Sequence, residues 1–183
     1  DTVVAVDRLS FEVREGEVTA GRRVDAGFRL SLDDGSAVAT NRVLLAGGMD
    51  YRLPDVDGVA ERWGRSAFHC PFCHGWEVRD RALGVLDSGA TGTHRALLLR
   101  RWSDRVMLFS GGGPVEDRDR LVAAGVVIEE RSVARVVGDG PEISHVVLAD
   151  GTRVECGGLL VGVTLHQRSD LAAQLGVAAA PPN

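Results

Sequence analysis

The sequence predicts an α/β fold made of two parts, and three observations carry that expectation. Between residues 84 and 128, short apolar strands alternate with segments of helical composition. On either side lies a hairpin pattern whose two Asp-Gly turns, Asp34-Gly35 and Asp150-Gly151, stand 116 positions apart. Glycine-bearing turns fall where apolar strands give way to helices, as alternating α/β topologies require. The chain has 183 residues, 44% hydrophobic and 26% charged. That is room for one domain or two small ones with a true core.

Taken in order, Phe28-Arg29-Leu30-Ser31-Leu32 alternates with period two and reaches Asp33-Asp34-Gly35. It then resumes through Val38 to Val43-Leu44-Leu45-Ala46, as a hairpin leading into a buried strand should. In the second copy, His145-Val146-Val147-Leu148 leads to Asp150-Gly151-Thr152, with Val154 and Leu159-Leu160-Val161-Gly162 at the same offsets. Each copy therefore reads as a small meander feeding a buried strand.

Between the copies, Gly84-Val85-Leu86 is a short buried strand and Asp87-Ser88-Gly89-Ala90-Thr91-Gly92 a turn. Thr93 to Trp102 has helical composition, with Ala96, Leu97 and Leu99 among arginines, and Val106-Met107-Leu108-Phe109 is a second, parallel strand. Gly111-Gly112-Gly113-Pro114 opens a helix carrying Leu121 and Val122 that ends near Gly125, and Val126-Val127-Ile128 is a third strand. Alternation of this kind followed by a meander describes a doubly wound nucleotide-binding half-domain.

Composition excludes several roles. All 21 basic residues are arginine against 26 acidic ones, a net charge of -5, and no polybasic stretch tracks a phosphate backbone or an anionic membrane. Nucleic acid and membrane are not expected partners. No uncharged apolar run approaches the roughly 18 residues of a membrane span, and Asp1 to Val6 lack the regions of a signal peptide, so a soluble, cytoplasmic protein is expected.

Three cysteines are too few and too odd in number for a secreted disulfide framework. Two of them sit in His69-Cys70-Pro71-Phe72-Cys73-His74-Gly75-Trp76-Glu77. Cysteines two residues apart can close a disulfide within one helical turn, and Pro71 suits a first helical position, placing Cys70 at or next to the N-cap. Unpaired amides and the helix dipole stabilise a thiolate there, the species that attacks disulfides. His69 and His74 flank the pair and can exchange protons at neutral pH.

Other readings of these residues stay open. Cys70 to His74 is also the Cys-x-x-Cys-His pattern of haem c attachment, which needs export. A zinc site needs two further ligands, and Cys156 is a lone cysteine on the distant meander. Two cysteines can also simply pack as small core hydrophobes, the expected role of Cys156.

The glycine turn carries less information. In a dinucleotide fingerprint the first glycine makes the tight turn, the second admits pyrophosphate and the third packs helix on strand. Here those positions read Asp87, Gly89 and Gly92, so a carboxylate stands at the first. The end of the second strand, Phe109-Ser110-Gly111, offers neither an acid for a ribose hydroxyl nor an arginine for a 2′-phosphate. The architecture is expected with weakened or lost NADPH binding.

In this order, Leu45-Ala46-Gly47-Gly48, Leu53-Pro54-Asp55, the Cys70 to Glu77 string, the strand-helix-strand unit and Gly158-Leu159-Leu160-Val161-Gly162 resemble the low-molecular-weight thioredoxin reductase family. The Cys-x-x-Cys-His-Gly-aromatic-Glu form is similar to the branch that includes the flavin-dependent dithiol oxidases of gliotoxin and holomycin biosynthesis. The resemblance implies a Rossmann-like, three-layer ββα fold: an incomplete FAD domain with a pyridine-nucleotide domain inserted in it. On that reading residues 1–60 belong to the FAD domain, 61–155 form the inserted domain with the cysteine pair, and 156–183 return to the FAD domain. Cys73 would face the flavin, Cys70 would exchange with substrate, and His74 takes the place of an aspartate acid/base. Gly47 and Gly48 match the segment passing close to FAD, and Gly89 and Gly92 the nucleotide turn.

Members of that family begin with a strand and Gly-x-Gly-x-x-Gly loop that Asp1-Thr2-Val3-Val4 already lies beyond, and they end with a Gly-Asp motif past the position of Asn183. This chain is therefore expected to lack both main FAD contacts, since a complete reductase of this kind needs about 300 residues. The resemblance implies a flavin-dependent thiol-disulfide oxidoreductase acting on a dithiol or disulfide, protein or small molecule, with electrons passing to or from FAD and NADPH or oxygen. It admits a homodimer. The alternatives are a flavin-free Cys-x-x-Cys exchange module and a non-catalytic fragment that binds a partner chain through an apolar surface.

Overall fold

A computed structural model describes residues 13–178, which divide into two compact units. One comprises residues 13–50 and 167–178, the other residues 51–166.

The first unit opens with an antiparallel meander of β1 (Val18–Val24), β2 (Gly27–Leu32) and β3 (Ala37–Thr40), in the order β1-β2-β3. Period-two alternation on β2 half-buries Phe28, Leu30 and Leu32 and leaves Arg29 and Ser31 exposed. The segment 43–46, expected as a buried strand, is irregular instead, with Leu44 90% and Leu45 41% exposed. Among the described residues no neighbouring strand flanks it, and an apolar run becomes a buried strand only when both its backbone edges and its faces are covered.

The chain leaves this unit along β4 (Met49–Arg52), then forms β5 (Ala67–Phe68) and α1 (Pro71–His74). A strand, helix, strand, helix, strand series follows: β6 (Leu83–Leu86), α2 (Gly89–Leu99), β7 (Val106–Phe109), α3 (Arg118–Ala123) and β8 (Val126–Glu129). A second meander consists of β9 (Val133–Asp139), β10 (Glu142–Leu148) and β11 (Arg153–Glu155). After β12 (Gly158–Val161), β13 (Thr164–Gln167) pairs with β4, and α4 (Leu171–Gln174) closes the first unit. There Gly21 donates its backbone N–H to Gln174 Oε1 at 2.7 Å, and Leu175 is 3% exposed.

The expected repeat is realised atom by atom at its turns. Leu32 N–H donates to the Ser36 carbonyl and Leu148 N–H to the Thr152 carbonyl, both at 2.9 Å. Gly35 and Gly151 take φ of +81° and +84°, the left-handed region that glycine enters without penalty. Asp34 and Asp150 each cap their turn by accepting the N–H two residues on, at 2.8 and 2.9 Å.

The second unit has three layers. A parallel sheet of order β5-β12-β6-β7-β8 lies between the β9–β11 meander and the helices. Side-chain alternation sorts the strands between the two cores. Leu83, Val85, Val106, Leu108 and Leu160 pack with Ala96, Leu99 and Leu121 on the helix side. Leu159, Val161 and Phe109 pack with Val136, Ile143, Val146 and Leu148 on the meander side. Each such fully buried Leu or Phe stabilises by about 1.5–3 kcal/mol relative to exposure. Gly84 is fixed by this packing, since a Cβ there meets Leu159 and Phe109 at 2.8 Å.

The divisions fall at 50/51 and 166/167, outside the boundaries of 60/61 and 155/156 that the sequence suggests. The reason is the sheet. β12 has backbone partners on both sides within it, so its residues pack with the inserted unit. Helix α2 also starts four residues before the expected Thr93, directly at Gly89.

Candidate active site

The Cys70-Pro71-Phe72-Cys73 string folds as the sequence predicts. Cys70 is extended at the N-cap of α1 (φ -119°, ψ 112°), and Pro71 occupies the first turn, where its missing N–H costs nothing. Cys73 N–H donates to the Cys70 carbonyl at 3.2 Å and Gly75 N–H to the Pro71 carbonyl at 2.8 Å, closing the short helix. Cys70 is half-buried and Cys73 exposed, both as free thiols, with their Sγ atoms 2.7 Å apart.

The pair is chemically asymmetric. The Cys73 thiol donates to the Cys70 sulfur and holds the Cys70 pKa below the ordinary thiol value, while burial opposes this. The Phe72 and Cys73 N–H groups act in the same lowering direction without completing a capping hydrogen bond. The same sulfur–sulfur hydrogen bond pushes the Cys73 pKa up, since losing its proton would break it. In these directions Cys70 is the more readily ionised thiol of the two.

His74 ends α1, its ring stacked on Phe68 with centroids 5.8 Å apart, and its Nδ1 is buried without a hydrogen-bond partner. His69 lies in an aromatic trio from three separated segments, its ring centroid 4.7 Å from Tyr51 and 5.7 Å from Trp63. Burial there lowers its pKa, favouring the neutral ring. Gly75 seats the helix on Trp102, since a Cβ at Gly75 meets the Trp102 ring at 2.6 Å and also the Pro71 carbonyl. Neither the trio nor Trp102 was evident beforehand, because sequence separation hides such contacts. The Gly75 in the string was the only local hint.

Cys156 lies in the meander-side core, 1% exposed, with burial pushing its pKa up to about 12. It is a packing residue, as the sequence suggested. Among the described residues no group of three or more His, Cys, Asp or Glu converges to hold a metal ion.

The remaining site residues occupy two other places. Gly47 and Gly48 line an apolar cleft of about 630 Å³ in the first unit, with Leu44, Leu45 and Met49. A Cβ at either glycine meets nothing within 4 Å, and Gly48 takes φ +73°. The backbone is thus open to a close approach from the cleft. Gly89 and Gly92 sit at the start of α2. A Cβ at Gly92 meets the Asp87 carbonyl group at 3.0–3.1 Å, so Gly92 performs the helix-on-strand packing expected of a third fingerprint glycine. The Asp87 carboxylate, however, pairs with Arg95 and accepts the Ser88 N–H at 2.8 Å, a contact sequence reading missed.

A three-layer nucleotide-binding unit that carries a vicinal dithiol on a short helix defines a class, the disulfide oxidoreductases. Comparison with known proteins agrees. The family model for pyridine nucleotide-disulphide oxidoreductases matches residues 2–182, and the chain belongs to that family. It is 30% identical over 177 residues to a thioredoxin reductase, tcpT, of Claviceps purpurea, covering 90% of this chain and 55% of that protein. The solved structure of HlmI superposes with a TM-score of 0.78 at 39% identity, over 89% of this chain and 53% of that one. An oxidoreductase from Agrobacterium tumefaciens gives 0.78 at 33% identity, over 89% and 55% respectively. The chain spans about half the length of the curated relatives it matches. No helix among the described residues is long and apolar enough to cross a membrane.

Proposed function

We propose that the chain is part of a flavin-dependent thiol-disulfide oxidoreductase whose working couple is Cys70 and Cys73. The observation that carries this is the placement of the two free sulfurs 2.7 Å apart at the start of the short helix α1, where a disulfide can close between them. In the reducing direction the Cys70 thiolate attacks a substrate disulfide, forming a mixed disulfide and releasing one substrate thiolate. Cys73, once deprotonated, attacks Cys70 Sγ, releases the second substrate thiolate and leaves the Cys70–Cys73 disulfide. In the oxidising direction a substrate dithiol attacks that disulfide and the steps reverse.

His74 is the residue proposed to take and return the Cys73 proton, supported by its place on the same helix and its unpartnered Nδ1. Gly47 and Gly48, with the apolar wall of Leu44, Leu45 and Met49, are the residues proposed to hold the flavin. FAD bound there would supply the two-electron acceptor or donor for the dithiol. The names of the relatives support a substrate bearing a disulfide or dithiol.

The test is an anaerobic titration of the FAD-loaded protein with dithiothreitol. The flavin absorbance is expected to bleach in the wild type and to persist in Cys70→Ser. Equal bleaching in both would overturn the role of the couple. A colourless protein that still exchanges disulfides in a Cys70-dependent way would replace this reading with a flavin-free exchange module.

A further inference from the structure

We infer that the glycine turn of the second unit is closed against dinucleotides by the chain's own groups, so that NADH and NADPH do not reach the Cys70/Cys73 couple through this unit. In a nucleotide-binding turn, the free N–H groups at the start of the helix point at the pyrophosphate and the helix dipole favours its charge. Here two of those donors, the Ser88 and Gly89 N–H groups, are already taken. Ser88 N–H donates to Asp87 Oδ1 at 2.8 Å, and Gly89 N–H donates to the Pro114 carbonyl at 2.6 Å.

The blocking groups are held in place from several directions. Asp87 forms an ion pair with Arg95, one helical face further along α2, and both side chains are largely buried (18% and 25% exposed). Arg95 and Asp87 also fill the space beside Gly162, where a Cβ would meet them at 3.1 and 3.2 Å. The loop after β7 presses on the turn, since a Cβ at Gly113 meets Ser88 Cβ at 2.7 Å. That loop is fixed in turn, with Gly113 N–H donating to the Ser110 carbonyl at 2.9 Å and Thr93 Oγ1 donating to the Glu116 carbonyl at 2.7 Å.

Two of the nearby arginines are engaged as well. Arg95, the cation on the first turns of α2, is neutralised by Asp87. Arg118, the first cation past β7, pairs with Glu130. A pyrophosphate entering the turn would have to displace a half-buried carboxylate of its own charge, together with its Arg95 partner, and a backbone carbonyl. The Asp87 carboxylate stands in for the phosphate and locks α2 to the sheet. The residues present therefore do not fit a dinucleotide, although the fold is that of a nucleotide domain.

This inference rests on the dithiol reading only for its consequence, since binding can be measured without thiol chemistry. The 183-residue chain is titrated calorimetrically with NADPH, NADH and ADP at low ionic strength. No saturable binding of any of the three is expected. Asp87→Gly, which frees the Ser88 N–H and removes the charge, is expected to raise the affinity for ADP at least about tenfold above the wild-type limit. Should Asp87→Gly not fold, Asp87→Ala, which also removes both the acceptor and the charge, carries the same comparison. Saturable NADPH or NADH binding by the wild type would overturn the inference, and so would a folded Asp87 variant that stays at the wild-type limit. Either result leaves the Cys70/Cys73 couple untouched, because neither readout involves a thiol.

Discussion

Replacing Gly75 by alanine tests how the dithiol helix is held. The added Cβ would lie 2.6 Å from Trp102 Cδ1 and Nε1, whereas ordinary contact begins near 3.4 Å, and it would also strike the Pro71 carbonyl that the Gly75 N–H uses. Gly75 has φ -62°, so the backbone itself accepts alanine, and the helix propensity gain is at most about 1 kcal/mol. Overpacking against an aromatic ring costs about 1–3 kcal/mol. Moving the Trp102 ring would also disturb its edge-on contact with Trp76, at 6.4 Å between centroids. The net expectation is a loss of about 1–2 kcal/mol in urea unfolding followed by tryptophan fluorescence, with an unchanged m-value. Cys70 alkylation should slow, because the helix shifts against the sulfur pair. Adding Trp102→Leu should recover part of the loss, a coupling of about 0.5–3 kcal/mol, the remainder being the Pro71 contact. A Gly75→Ala protein as stable as the wild type would refute the seating of α1 on Trp102.

Three further outcomes follow from the same geometry. Cys73→Ala removes the S–H that lowers the Cys70 pKa, so the pH profile of Cys70 alkylation should move to higher pH and its rate at pH 7 fall; an unmoved profile would show that the sulfur pair is not coupled. Cys156, buried with a pKa near 12, should resist iodoacetamide in the native protein and react only in denaturant. Asp150, lowered from 3.8 to about 2 by the Thr152 N–H and hydroxyl and by Arg131, should keep its carboxylate as pH falls through 3.8. Because the folded pKa is depressed, its contribution to stability is present above the unfolded value and is lost between about 4 and 2. Carboxyl-carbon NMR titration reads this directly, and a midpoint near 3.8 would contradict the turn geometry.

What the sequence revealed was local, and what it concealed was long-range. The Asp-Gly turns at Gly35 and Gly151 announced both meanders, because a left-handed residue between apolar runs admits few alternatives. Pro71 after Cys70 announced the helix start, and the alternation of Leu83 to Leu86 with Val106 to Phe109 announced a sheet covered on both faces. Residues 43–46 read as a buried strand by composition alone, yet Leu44 is 90% exposed, since burial depends on neighbours that a pattern does not contain. Asp87 in the glycine turn was recognisable as a misfit, but that Arg95 pairs with it and that the Pro114 carbonyl caps Gly89 depends on how two loops meet. The Tyr51, Trp63 and His69 trio was likewise invisible, being assembled from three segments.

The central claim is that Cys70 and Cys73 form one redox couple, and equilibration of the protein against defined ratios of reduced and oxidised glutathione tests it most directly. Quenching with iodoacetamide and peptide mapping reads each cysteine separately. Both sulfurs are expected to convert together in a single two-electron transition to a Cys70–Cys73 disulfide, with Cys156 remaining a thiol throughout. Persistence of both thiols at every ratio, or a disulfide that includes Cys156, would contradict the account.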